Sequence, residues 1–383
     1  MPEKKYALAI INRSFWPHSQ VIGESLLLLA ESVARNKHVV VITQSDGKLK
    51  ERLSDAKRGK GVDVRDVRSR ANSSSNLLKR GIDAIFFTVW TLFCLLRSRP
   101  EMVYVSTNPP VLVPFIVFIY SRMFGARYCY HLQDIHPEAA NIVVKLNPFV
   151  FRFLQGIDNI SMRNAESLVT LSEDMKGYIL KRSGTSAQIH LLDNPAFDIS
   201  IENTESRTAG FVFCGNAGRL QRIPLLLEAI SEYIEQGGKL KFSFIGAGVY
   251  SKKIQEISEK YEIFDYFGFL PAAQAAEIVN QHRWALLPID DEVTIYAFPS
   301  KSSSYAVSNC RILAICSKET SVAQWVLKNK IGRTCEPQKN KIIEAFRSIE
   351  TEASLAYSGA PESLKQKLKI EFFVDRITDI LKI

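Results

Sequence analysis

The sequence predicts an α/β protein of two doubly wound domains that face each other across a cleft. At 383 residues the chain exceeds one ordinary core and suits two. Short runs rich in β-branched and aromatic residues, apolar on both faces, alternate with helical patterns, as in parallel sheets covered on both sides. That rhythm breaks once, at the polar and aperiodic "NPAFDISIENTESRTAG" (194–210), which reads as a linker.

Before the linker, strand-like runs fall at 6–12, 38–43, 102–107, 127–132, 167–172 and 189–193, with helical patterns between them at 22–36, 76–97 and 145–164. After it, a second series has strands at 211–216, 240–248, 283–290 and 311–316. The expected domains are therefore 1–200 and 208–365. A final helix over 366–383 is free to pack back on either domain, the first included. In open sheets of this kind ligands bind beyond the carboxyl ends of the strands, so the loops there hold the candidate residues.

Composition is that of a folded globular protein, 46% hydrophobic and 23% charged. The six cysteines form no C-x-x-C and read as buried thiols of a reducing compartment. "MPEKKYALAII" runs straight into a strand and has no secretory h-region, so the expected location is cytoplasmic. The net charge of +9 is uneven: residues 48–80 hold 11 Lys or Arg against four acids, a local +7. This segment reads either as a grip on phosphates or anionic lipid or as a solvated loop. The apolar stretches 84–96 and 109–120 are short of the roughly 20 residues a spanning helix needs. They read as helices packed on a sheet, with partial immersion of one face in a membrane as the alternative.

In the first domain, the loop "NRSFWPHSQVIGES" (12–25) leads to Gly23 at a helix start, where free N–H groups suit an anion or a sugar hydroxyl and where a plain cap is equally served. "RYCYHLQDIHPEAA" (127–140) gathers His131, Asp134, His136 and Glu138 at one strand end. Catalysis or substrate contact, a structural role and a metal site are all open to that group.

In the second domain, "FCGNAGRLQRIPLLLEA" (213–229) combines Gly215, Asn216 and Gly218 with Arg219, Gln221 and Arg222 ahead of an amphipathic helix. Glycines let backbone approach a diphosphate and guanidinium groups pair with its oxygens. No acidic ribose partner of a dinucleotide fold follows, which disfavours hydride transfer. Gly246 in "IGAGVY" adds a second glycine turn, and "FGFLP" (267–271) can offer backbone groups to a nucleobase. The acids of "PIDDEV" (288–293) read as solvated. "FPSK" (298–301) opens a helix with Pro299, a capping Ser300 and the cation Lys301, a second half for the same diphosphate site.

With these motifs the chain resembles the GT-B glycosyltransferases of family four, in the branch that builds bacterial surface polysaccharides. The likeness rests on the Gly23 loop, "YHLQDIHPEAA", "VTLSEDMKGYIL", "FCGNAGRLQ", "FIGAG" and "FPSK" and covers nearly the whole chain. It implies two Rossmann-like domains and metal-independent transfer of a sugar, with retention, from a UDP- or GDP-linked donor to a lipid-linked saccharide at the inner face of the cytoplasmic membrane. It places Gly215, Asn216, Arg219, Gln221, Arg222, Gly246, Lys301 and Ser304 at the donor, His131 and Asp134 at the sugar and acceptor, and Gly23 in the acceptor-side loop. No cofactor beyond the nucleotide sugar is implied.

The departure is in "FPSKSSSYAVSNCRIL". Where relatives carry a Glu for the donor ribose, and then Gly and Pro, this chain has Ser304, Asn309 and Arg311. A lost hydrogen bond to a charged group is equivalent to about ten- to a hundred-fold in donor affinity. Two other readings therefore stand beside the transferase: a sugar-nucleotide 2-epimerase, and a degenerate transferase acting as a scaffold subunit. The basic segment lacks an aromatic platform, which argues against nucleic acid as a partner.

Overall fold

The computed structural model describes residues 6–70, 77–197, 207–352 and 359–383. The chain divides into two compact units, residues 1–195 with 370–383, and residues 196–369. The centre of the predicted linker, 198–206, lies outside the described residues.

Unit 1 begins β1 (Leu8–Ile11), α1 (Val21–Ala34), β2 (Val39–Ser45), α2 (Leu49–Asp55), β3 (Val62–Arg68) and α3 (Leu77–Ser98). It continues β4 (Met102–Ser106), α4 (Leu112–Phe124), β5 (Arg127–His131), α5 (Glu138–Val143), α6 (Pro148–Arg163), β6 (Ser167–Thr170), α7 (Glu173–Ser183) and β7 (Gln188–Leu191). The seven strands form one sheet in the order β3-β2-β1-β4-β5-β6-β7, every pair parallel. β1, β2 and β4 are buried on both faces, which is why they read as unbroken apolar runs. β3 was not anticipated. Its sequence VDVRDVR sits at the sheet edge and is mostly half-exposed, so its charges hide the strand pattern inside a basic segment.

Three arginines of that basic segment are paired within the fold. Arg58 pairs with Glu24 and Glu31, Arg52 with Asp46, and Arg65 with Asp63. The part at 71–76 lies outside the described residues. Further along, α3 carries a buried acid, Asp83, which accepts from Arg13, Gln44 Nε2, Ser69 Oγ and the Arg70 amide. Those donors come from the chain that follows β1, the end of β2 and the chain that follows β3, so Asp83 fastens α3 to one end of the sheet.

Unit 2 begins β8 (Thr208–Cys214), α8 (Ile223–Glu235), β9 (Lys241–Ile245), α9 (Ser251–Lys260), β10 (Phe264–Tyr266), α10 (Ala272–Asn280) and β11 (His282–Pro288). It ends α11 (Asp291–Thr294), α12 (Lys301–Val307), β12 (Arg311–Ile315), α13 (Ser321–Lys328), β13 (Gly332–Cys335), α14 (Lys339–Thr351) and α15 (Glu362–Leu368). Its six parallel strands run β10-β9-β8-β11-β12-β13, so β8, with the glycine turn behind it, is central. The core beside it is aromatic: Phe211, Phe242, Tyr233 and Phe346 meet with ring centroids 4.9–5.9 Å apart. The edge strands β10 and β13, of three and four residues, escaped the sequence reading because each is too short for a period.

The single helix expected over 366–383 is instead two. Lys369 is extended (φ −67°, ψ 147°) between α15 and α16 (Ile370–Leu381). α15 packs on α12 in unit 2, and α16 belongs to unit 1, where it packs on α1.

Candidate functional site

In unit 2 three glycine turns stack beyond the strand ends. The Gly215 amide donates to the Ile245 carbonyl at 2.9 Å, and the Gly246 amide to the Gly268 carbonyl at 2.6 Å. Gly246 has φ +117°, and a Cβ there would lie 2.1 Å from the Gly215 carbonyl oxygen. At Gly248 a Cβ would lie 2.3 Å from the Ala217 oxygen. The turns after β8 and β9 therefore fit only without side chains. Gly246→Ala combines a forbidden contact with left-handed strain of about 1–3 kcal/mol, and a lowered melting temperature of purified protein would register it.

Lys301 begins α12 beside this stack. Its Nζ lies 4.1 Å from the centroid of the Phe213 ring and within 3.4 Å of the place a Gly215 Cβ would take. The ammonium is buried and has no hydrogen-bond partner among the described residues. Burial pushes its pKa down to about 8. Tyr305, one turn along the same helix, bridges both polar groups of Cys214, accepting from its amide at 2.8 Å and donating to its carbonyl at 3.2 Å. That bridge fixes α12 to the end of β8, so the lysine and the glycine turn are held as one piece. Ser300 is itself helical and makes no side-chain cap, contrary to expectation; Ser302 Oγ instead donates to the Pro299 carbonyl at 2.8 Å.

The other predicted donor residues divide. Asn216 and Arg219 are exposed beside the turn. The Gln221 side chain closes its own turn, Oε1 accepting from the Gly218 amide at 2.9 Å. Arg222 is turned away from the role assigned to it. Its Nε donates to the Ile289 carbonyl at 3.1 Å, and its guanidinium lies 3.4 Å and 3.5 Å from Asp290 and Asp291. This also corrects the reading of "PIDDEV" as solvated acids. Asp290 caps α11 through the Glu292 amide, and Asp291 accepts from both the amide and the hydroxyl of Ser317.

In unit 1 the four ionisable groups after β5 separate in the same way. His131 is fully buried, its Nδ1 2.6 Å from the Tyr104 hydroxyl and its ring 5.9 Å from that of Phe373. Burial pushes its pKa down to about 3, which keeps the imidazole neutral. Glu138 is buried too, taking Gln155, Tyr178 and Arg182, while Arg182 also pairs with the buried Asp158. Of the four, Asp134 alone keeps an exposed side chain. Gly23 has its amide engaged by Ser19 Oγ at 3.3 Å. A Cβ there would lie 2.6 Å from the Trp16 nitrogen, so the glycine lets the loop fold over α1 rather than freeing N–H groups for an anion.

Comparison with known proteins places this geometry. Sucrose-phosphate synthase of Thermosynechococcus elongatus superposes with TM-score 0.72 at 12% identity, over 99% of this chain and 98% of its own. HepE of Anabaena, solved with UDP, superposes with TM-score 0.66 at 12% identity, over 98% and 99%. The probable glycosyltransferase WbjE of Pseudomonas aeruginosa is 25% identical over 335 residues, 81% of this chain and 82% of that one. Residues 22–195, nearly all of unit 1 before α16, match the glycosyl transferase 4-like domain. Residues 22–195 therefore carry the likeness to the glycosyl transferase 4-like domain, and both units share the fold of these solved structures.

In unit 2 Ser304 is exposed one helical turn beyond Lys301, on the same side of α12. Asn309, where the resemblance led one to expect glycine, adopts a left-handed φ of +56°. Asparagine is the residue after glycine that tolerates this region best. Its Oδ1 accepts from the Ala360 amide at 3.3 Å, and its carbonyl from Arg207 at 2.8 Å. Phe213 and Tyr305 were missed as site residues. Tyr305 has a signal in hindsight, a tyrosine four residues after Lys301, but the ring under the ammonium comes from a strand 88 positions away.

Proposed function

We propose that the protein moves a sugar from a uridine diphosphate donor, held by unit 2, to a hydroxyl of a lipid-linked saccharide, with retention at the anomeric carbon. The observation that carries this is Lys301: a buried ammonium with no hydrogen-bond partner among the described residues, set where it would meet a Cβ of Gly215 at 3.4 Å. A desolvated cation of this kind is a receptor for an anion, and a diphosphate supplies both charge and acceptor oxygens. UDP is favoured over GDP because HepE, which shares the fold, was solved with it. In the transfer the bond from the anomeric carbon to the diphosphate oxygen breaks and one to the acceptor oxygen forms. The leaving diphosphate takes the acceptor proton, while Lys301 balances its charge. Asp134 is the unit 1 carboxylate assigned to the acceptor side.

A thermal-shift titration with UDP, GDP and ADP tests the reading. A nucleotide at about 100 times its dissociation constant adds about 2.7 kcal/mol of stability. Absence of any shift at millimolar UDP sinks the donor assignment and leaves the scaffold reading. Turnover of the nucleotide sugar without acceptor, giving the 2-epimer, would instead identify an epimerase.

Ser304→Glu is expected to tighten UDP binding by about ten-fold or more, through a ribose hydroxyl meeting a carboxylate. Isothermal titration of both proteins decides it; unchanged or weaker binding would mean that the ribose has a different partner here.

A further inference from the structure

We propose that Phe213 is a positioning residue for the donor diphosphate: the face of its ring holds the Lys301 ammonium charged and in place while the site is empty. The inference rests on the donor reading and adds to it the residue that readies the cation. A buried ammonium with no hydrogen-bond partner among the described residues is costly, and a flexible four-carbon stem gives it the means to move. An attractive group of another kind is within reach. The Lys301 Nζ stands over the Phe213 ring, 4.1 Å from its centroid, inside the range of about 6 Å in which a ring's negative face attracts a cation. That attraction strengthens when water is excluded, and here ring and ammonium are both buried.

The ring is itself held. Phe213 is 1% exposed and stacks on Phe244, with centroids 5.2 Å apart and planes at 26°. Phe244 stacks in turn on Phe264 at 4.8 Å and 22°. β8, β9 and β10 are neighbours in the sheet, so the three rings form a column across them that keeps Phe213 from turning aside. On the helix side, the Tyr305 bridge to Cys214 fixes where the lysine stem begins. The ammonium is thus held from both ends before a ligand arrives. A diphosphate meets a cation already ordered and stripped of water, two costs that otherwise reduce affinity. The titratable groups at this end of β8, the Cys214 thiol and the Tyr305 phenol, are both pushed toward their neutral forms by burial. Plain packing of the lysine stem on an apolar ring is the competing account. The two differ in one respect: packing depends on the shape of the ring, attraction on the electron density of its face.

Site-specific replacement of Phe213 by mono-, di- and trifluorophenylalanine in the full chain separates them, because each fluorine drains the ring face while its shape is nearly kept. UDP affinity, read by isothermal titration, is expected to fall stepwise, to about ten-fold weaker with three fluorines. The amine should titrate progressively below its value of about 8, so the alkaline decline in affinity should begin at lower pH. Carbon NMR of the lysine side chains, with Lys301→Met to assign the signal, reads that titration without any ligand. The same series at Phe211, two residues back on β8 with its ring against Phe242 and Phe346, should change neither quantity. An unchanged melting temperature verifies that the substituted chains are folded. UDP affinity that is flat across the Phe213 series, an equal fall in the Phe211 series, or an amine titration indifferent to fluorine overturns the proposal and leaves the donor assignment standing. Failure of UDP to bind the wild type sinks the donor assignment and this proposal with it.

Discussion

Lys301→Met should abolish most of the donor binding while leaving the fold intact. The ammonium makes no hydrogen bond among the described residues, so its removal breaks none, and the unbranched thioether keeps the apolar contact with Phe213. A charge-assisted hydrogen bond to phosphate is equivalent to about 1.5–3 kcal/mol, so UDP affinity is expected to fall about ten- to a hundred-fold. Turnover should fall further, because negative charge grows on the diphosphate as the sugar leaves. A variant that binds UDP like the wild type would remove Lys301 from the site.

The same residue predicts a pH dependence whose sign is fixed. In the free protein the amine titrates near 8, below its ordinary 10.5. A bound diphosphate restores the charged form, so complex formation above pH 8 takes up as much as one proton. Affinity should be level below pH 8 and decline above it. Titrations in buffers of different ionisation enthalpy measure the uptake directly. For the unliganded fold the sign is opposite: between about 8 and 10.5 the unfolded chain holds more protons, so this group's contribution to stability improves as pH rises.

Arg182→Met should be the most destabilising single change in unit 1. The guanidinium and its partners Glu138 and Asp158 have side chains no more than 5% exposed. Removing the cation strands two carboxylates away from water, which costs about 3–5 kcal/mol. At 2–4 °C per kcal/mol for a unit of this size, melting should drop by roughly 6–20 °C. Burial already holds the Asp158 carboxyl above its ordinary value, and loss of Arg182 would raise it further. Its folded form then binds protons more readily than the unfolded chain, so the deficit should shrink as pH falls toward 5. Adding Glu138→Gln and Asp158→Asn should recover part of the loss at neutral pH. A deficit independent of pH would show that packing, not stranded charge, dominates.

What the sequence disclosed follows from how far apart the cooperating residues lie. Strands buried on both faces announce themselves locally, as in "HVVVIT", and so does the Pro-Ser-Lys helix start. β3 does not, because an edge strand with alternating charges looks like a solvated loop. At the site, the placement of Lys301 was legible from neighbouring residues. The fates of Arg222 and His131 were not, since each depends on partners from distant elements, Asp290 for one and Tyr104 with Phe373 for the other. An ionisable residue at a strand end has the same local signature whether it turns to the ligand or to the core, and only the packed fold separates the two.

Asp83 sets a limit on what α3 can do at a bilayer. The helix has the length of a membrane span, yet driving it through one would tear a carboxylate from four donors and carry it into hydrocarbon. The residue acts as a keel: it holds a helix of spanning length to the strand ends of unit 1.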